Sequence, residues 1–218
     1  MRTSFMKFAL LSLVFALFST SLAAQRPYFC IDNGARMAYA SYDAKGNVTS
    51  TSVTEITGVT GGAGTWDISY TATVNDADGN AVMGPLEMTA HIDQGNVSAA
   101  LGASGSMVEV TGNVPHIPSR LAVGQLLEIG SMKINSLGVT TTANILEHKV
   151  VDREEITTPA GSFKCYVIEQ TTESRVMGIR VKGTTKTWYA RGVGSVKSES
   201  YDTKGNLVSS QELQQFTK

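Results

Sequence analysis

The run Trp66-Asp67-Ile68-Ser69-Tyr70-Thr71-Ala72-Thr73-Val74 alternates without a break: Trp66, Ile68, Tyr70, Ala72 and Val74 fall on one parity, and Asp67, Ser69, Thr71 and Thr73 on the other. Successive side chains of a strand point to opposite faces of its sheet, so a period of two predicts a β-strand with one face buried and one wet. The next segment repeats the code, with Leu86, Met88, Ala90 and Ile92 facing in and Glu87, Thr89, His91 and Asp93 facing out. Asn75-Asp76-Ala77-Asp78-Gly79-Asn80 joins them, and two such strands linked through a glycine turn predict an antiparallel hairpin.

The connector recurs. Asp43-Ala44-Lys45-Gly46-Asn47, Asp76-Ala77-Asp78-Gly79-Asn80 and Asp202-Thr203-Lys204-Gly205-Asn206 share one D-x-K/D-G-N pattern. An Asp side chain bonds backbone two residues on, and Gly accepts the positive φ that follows a type I turn, so all three are predicted hairpin tips. Further strands are predicted near 29–42, 47–58, 106–112, 138–151, 162–174, 177–190, 193–201 and 206–216 from β-branched and aromatic content. Residues 119–129 suit either a short helix or an irregular connection, because Gly124 interrupts the apolar Leu121, Leu126 and Leu127. The fold class that follows is all-β: a single antiparallel domain of about ten strands, built as a curved sheet, half-barrel or barrel-like sandwich with little helix.

The N-terminus carries a different signal. Arg2 and Lys7 precede the apolar run from Phe8 to Phe18 and the small residues Ser19-Thr20-Ser21-Leu22-Ala23-Ala24, the three parts of a secretory leader in order. That run is far shorter than the roughly 20 residues that cross a bilayer as a helix. Residues 1–24 are therefore expected to be cleaved, leaving 25–218 as one exported, soluble domain in the periplasm or outside the cell. Lipid attachment needs a cysteine directly after the apolar run, whereas Cys30 follows Arg26-Pro27-Tyr28-Phe29, so the expected product is not lipidated.

Without Arg2 and Lys7 the chain keeps 16 basic residues against 19 acidic ones, a net charge of −3 that is too mild to predict nucleic acid or an anionic membrane as partner. The two cysteines, Cys30 and Cys165, are expected either to form a disulfide under oxidising conditions or to be buried thiols acting as small hydrophobes.

The motifs that carry chemistry are sparse. A calcium loop centred on Gly79 would put Val74 and Pro85 at positions that need oxygen ligands. Gly61-Gly62-Ala63-Gly64 lacks the Lys-Ser/Thr of a phosphate loop, and Gly102-Ala103-Ser104-Gly105-Ser106 lacks the closing glycine of a nucleophile elbow. His91, His116 and His148 have no metal-ligand spacing and read as lone surface or loop histidines; His91 alone shares a face with Glu87 and Asp93, which could orient its ring for a hydrolase. Arg180, Lys182 and Lys186 share parity with Trp188, a basic stripe ending in an aromatic that would suit an anionic ligand. No catalytic residue, metal site or cofactor is predicted.

Ile156-Thr157-Thr158-Pro159-Ala160-Gly161-Ser162-Phe163-Lys164-Cys165-Tyr166 and Trp188-Tyr189-Ala190-Arg191-Gly192-Val193-Gly194-Ser195-Val196-Lys197 carry a resemblance. The P-A-G-x-F turn followed by W-Y-A-x-G-V-G-x-V-K resembles the exported bacterial TapB-like proteins, whose function is largely uncharacterised. The resemblance implies export and a β-fold and brings no catalytic residues. The expected function is non-catalytic: an envelope protein holding an apolar or envelope-derived ligand on a curved sheet. The alternatives are a structural or adhesive module that meets another envelope protein and, more weakly, a hydrolase built on His91.

Overall fold

A computed structural model describes residues 25–100, 108–136, 139–176 and 178–218. The predicted leader, residues 102–106 and Met177 lie outside the described residues. The alternating segments become β3 (Thr65–Asp76) and β4 (Ala81–Asp93), flanked by β1 (Arg36–Asp43), β2 (Val48–Gly62) and the short β5 (Asn96–Ala100). The second half holds β6 (Val108–Asn113), β7 (Ser131–Ser136), β8 (Val139–Thr158), β9 (Gly161–Val176), β10 (Ile179–Ala190), β11 (Gly194–Tyr201) and β12 (Leu207–Thr217). Twelve strands thus stand where about ten are predicted, the additions being β5 and β7.

All twelve belong to one antiparallel sheet in the order β5-β4-β3-β2-β1-β12-β11-β10-β9-β8-β7-β6. The chain runs as a meander except at the centre, where β1 lies between β2 and β12 and Met37 faces Phe216. The three repeated connectors adopt one geometry. Asp43 Oδ1 accepts from the backbone N–H of Lys45 at 2.8 Å and Asn47 at 2.9 Å, while the Asn47 amide donates to Oδ2 at 2.9 Å. Asp76 and Asp202 repeat these bonds, and Gly46, Gly79 and Gly205 take φ of 83°, 88° and 80°. The turn chemistry read from the sequence is therefore what reverses the chain at all three tips.

The sheet edges do not pair, but an irregular segment, residues 114–130, ties one half to the other. Val97 of β5 and Ile117 exchange backbone bonds of 2.8 and 2.9 Å. Further along, Leu127 N–H donates to His148 O at 2.8 Å, and Val150 N–H donates to Gln125 O at 2.9 Å, extending the free side of β8. Residues 119–129 thus form the irregular connection rather than a helix. Two bulges in β8, at Ile145/Glu147 and Val150/Asp152, bend that 20-residue strand around the interior.

The main core gathers Ile56, Ile68 and Ile92 with Val167, Val196 and Leu213; a second cluster holds Tyr28, Leu121, Leu127, Val150 and Ile168. Each of these aliphatic side chains contributes about 1.5–3 kcal/mol by leaving water. Residues 27–35, of which 29–35 are predicted as the start of a strand, instead form a strap across one end of the sheet. The strap is anchored by Gly34 N–H on Ile56 O at 2.9 Å and by Gly192 N–H on Pro27 O at 2.7 Å, with its own Tyr28, Cys30 and Ala35 buried. Asp32 holds its outer side through Arg26 at 2.6 Å and Lys218 at 3.0 Å.

Candidate functional site

The curvature leaves a cavity of about 370 Å³ inside the sheet. Met37 and Tyr39 of β1, Tyr70 of β3 and Ile145 of β8 reach it from opposite sides, Tyr28 and Phe29 of the strap form part of its floor, and Pro115 and Ile117 of the connecting segment complete the wall. Aromatic and aliphatic side chains dominate, as in most small-molecule sites. Among the described residues no Asp, Glu, Lys or Arg lines it.

Its polar groups are hydroxyls, one imidazole and one amide. His148 and Gln170, register partners on β8 and β9, stand side by side on the wall. His148 Nδ1 lies 2.7 Å from the carbonyl oxygen of Glu128, which can only accept, so Nδ1 carries a proton and donates it there. Gln170 Nε2 donates one N–H to Thr172 Oγ1 at 2.9 Å and keeps a second N–H beside its carbonyl oxygen. Tyr39 donates its hydroxyl to Ser195 O at 2.9 Å. Burial raises the Tyr39 phenol well above its ordinary value and pushes Tyr189 up to about 12, so both stay protonated. The Arg191 guanidinium lies over the Tyr28 ring, 4.3 Å from its centroid, and donates to the carbonyls of Arg26 at 2.7 Å and Ser119 at 2.8 Å. Among the described residues the buried Tyr28 hydroxyl has no hydrogen-bond partner.

The predicted basic stripe lies elsewhere, on β10. Arg180 reaches Glu173 at 3.9 Å and Lys186 reaches Glu169 at 3.7 Å, while Lys182 faces Glu173 in register. Its charges therefore meet carboxylates of β9 instead of standing as a free row. Lys182 and Lys186 do share a second, polar hollow of about 570 Å³ with Glu147, Glu169 and Tyr201, which Arg180 and Trp188 do not line. Trp188 is 7% exposed; its indole donates to Glu154 at 2.6 Å and Lys197 lies over its ring. Cys30 and Cys165 are both buried and both free.

The histidines divide. His91 pairs with Asp67 of β3 at 2.7 Å rather than with Glu87 or Asp93 of its own strand, and the two side chains are 54% and 74% exposed, where water screens the interaction. His116 sits on the connecting segment against Glu128 at 2.9 Å. His148, expected at the surface or in a loop, is buried within β8 and lines the cavity. Parity alone could not have found it: Ala143 and Ile145 are buried on the odd positions, His148 and Val150 on the even ones, and the bulge at Ile145/Glu147 brings both pairs to one face.

Comparison with known proteins is consistent with this architecture. A Bacteroides fragilis protein described as exported and of YmcC-like fold superimposes with a TM-score of 0.76 at 22% identity, over 88% of this chain and 100% of the other. A Parabacteroides distasonis protein described as a lipoprotein gives a TM-score of 0.77 at 21% identity, over 88% of this chain and 99% of its own. Identities this low speak to fold alone. No curated protein matches the chain. The β-fold that the C-terminal motif implied agrees with these structures. The DUF3108-like family matches residues 32–213, from the strap to β12, and the chain belongs to that family.

Proposed function

We propose that the mature protein is a non-catalytic component of the cell envelope that holds one small apolar molecule in the cavity between β1–β3 and β8–β10. The observation that carries this reading is the lining: mostly aliphatic and aromatic side chains, among the described residues no carboxylate, ammonium or guanidinium, and a volume of about 370 Å³ that suits a single small ligand. The leader-like N-terminus supports the location, and Cys30 lies too far from the apolar run to serve as a lipidation site.

Native mass spectrometry of mature protein from its own host, before and after organic extraction, tests this. A discrete extractable mass is expected, and it should vanish in Val114→Trp, where a bulky ring enters the wall from a position 40% exposed that tolerates size. A wild-type protein that carries no extractable mass and binds no apolar probe would remove this reading.

A second reading, a module that meets another envelope protein, draws on Val123, Leu126 and Ile129 of the connecting segment, which are 57%, 80% and 57% exposed. Cross-linking in intact cells tests it: a partner captured through Leu126 supports contact, and only monomer counts against it.

A further inference from the structure

We propose that the occupant of the cavity is a neutral glycolipid, with one hydrocarbon chain inside and an uncharged sugar head group on the sheet face that continues the cavity wall. This rests on the cavity being the binding site and adds the chemistry of its occupant. Register partners on neighbouring strands point to the same face, and two rows of them cross the middle of the sheet. In the first, Ser50, Ser41, Gln211, Ser198 and Thr187 stand on β2, β1, β12, β11 and β10. In the second, Ser209, Ser200, Thr185, Gln170 and His148 run from β12 to β8, and its last two members already belong to the cavity wall. Tyr39 of the same wall is the partner of Ser52, two residues from Ser50.

The rows consist of hydroxyls, two amides and one imidazole, and all but the buried His148 are half-buried. They begin at the hairpin-tip residues Asp76 and Asp43, whose carboxylates are engaged by the backbone and asparagine of their own turns. The charges of the same strands stand on the opposite face, where Lys197 meets Glu199 at 2.7 Å and Glu169 meets Lys149 at 3.2 Å and Lys186 at 3.7 Å. One face of these strands is thus laced with ion pairs, while the face leading out of the cavity is made of neutral polar groups.

Those groups bond one another sparsely: Gln211 reaches Ser41 at 3.4 Å, and the Thr185 and Ser200 hydroxyls lie 3.5 Å apart. Hydroxyls and primary amides both donate and accept, so the complementary head group does both at several points and carries no charge, as sugar hydroxyls do. A sulfate or quaternary ammonium head would give up water here without gaining an ion partner. The chain of the same molecule would lie against Met37, Tyr70, Ile117 and Ile145.

The experiment measures displacement of a fluorescent apolar probe from the mature protein by decyl maltoside, decanol, decyl sulfate and decyltrimethylammonium, each below its micelle-forming concentration. Wild type is compared with a Thr185→Val, Ser200→Ala double variant and with Thr184→Val, a like change one residue away on the opposite face. Thermal melting confirms folding, and Gln211→Leu is the second probe of the rows if the double variant unfolds.

Wild type is expected to bind decyl maltoside about tenfold more tightly than decanol, the net worth of one or two hydrogen bonds, with both ions no tighter than decanol. The double variant should lose that preference while binding decanol as before, and Thr184→Val should keep it. Equal binding of maltoside and decanol by wild type, a preference that survives both the double variant and Gln211→Leu, its loss in Thr184→Val, or tightest binding of either ion would overturn the head-group inference and leave the cavity reading standing. So would calorimetric binding of maltose alone as tight as that of decyl maltoside, which would make the rows a site for free sugar. Failure of all four decyl compounds to displace the probe, or of the probe to bind, would overturn the cavity reading with it.

Discussion

Trp188 of β10 and Glu154 of β8 are joined across the intervening β9 by an indole N–H···carboxylate bond of 2.6 Å, with the Lys197 ammonium 4.9 Å from the ring centroid on β11. The tryptophan that ends the basic stripe thus ties four strands together and stands outside the lining of the 370 Å³ cavity. Trp188→Phe should lower unfolding free energy by about 1 kcal/mol, the net worth of one hydrogen bond, because the exposed Glu154 regains water. Trp188→Ala should cost about 3–5 kcal/mol through the void it leaves. Urea denaturation measures both, and probe binding by the folded variants should be unchanged; a Trp188→Phe protein of wild-type stability that fails to bind would return this residue to the binding site.

Acid should loosen the strap at Asp32. Burial pushes that carboxyl up, but hydrogen bonds from Arg26 and Lys218 overcome burial and hold it below the usual carboxylate value. A folded-state pKa below the unfolded one contributes stability that is present above the unfolded value, roughly 4, and fades as pH falls through the folded one. Melting temperature followed from neutral pH into acid should therefore fall more steeply in wild type than in Asp32→Asn; parallel curves would remove Asp32 from the acid response.

Alkali acts in the opposite sense on the buried phenols. Tyr189 is pushed up to about 12 by burial, so its contribution is complete below the unfolded value of roughly 10 and is lost as pH rises from there toward about 12. Phenolate absorbance should show a late group of tyrosines ionising together with unfolding. Tyr189→Phe should carry the midpoint of alkaline unfolding upward, and an unmoved midpoint would contradict the assignment.

Both thiols should be silent in the native state. Burial raises Cys30, and burial with the nearby Glu154 charge pushes Cys165 up to about 12, so little thiolate exists at neutral pH and reagent has little access. Ellman's reagent should detect two thiols only after denaturation. Native reactivity, or no thiol in denatured unreduced protein, would contradict two free buried cysteines.

Gly192 is where the strap is most sensitive. Its φ is +70°, and a Cβ there would lie 2.7 Å from Arg26 Nε, while its own N–H holds Pro27 O at 2.7 Å. Gly192→Ala should cost at least about 1–2 kcal/mol from the left-handed backbone alone. The displaced Arg26 should also expose residues near the strap to limited proteolysis before the sheet unfolds; simultaneous loss of strap and sheet would show that the two are one cooperative unit.

Much of the fold is legible in the sequence because its signals are local. The period of two across Trp66–Val74 and the three D-x-K/D-G-N turns each depend on residues within a few positions of one another. Features set by distant pairings were not legible. β5 and β7 are only 5 and 6 residues long, and the strap has β-like composition from Phe29 to Ala35 while its hydrogen bonds go to Ile56 and, through Pro27, to Gly192. The basic stripe looked free because Glu169 and Glu173 become its partners only once β9 and β10 take their register. His148 gave no spacing motif, since its neighbours at the cavity come from β1, β3, β9 and residues 114–130.

The place of β12 beside β1 has a consequence for how the molecule is made. β1 pairs along one side with β2, its neighbour in sequence, and along the other with β12, so that Arg36 must wait for Thr217. Neither half can close the middle of the sheet until β12 has been made. A topology this non-local folds slowly, leaving a window in which the nascent polypeptide is unfolded and available to whatever machinery moves it. Deleting β12 would therefore leave two half-sheets with two new unpaired edges where the native molecule has its centre.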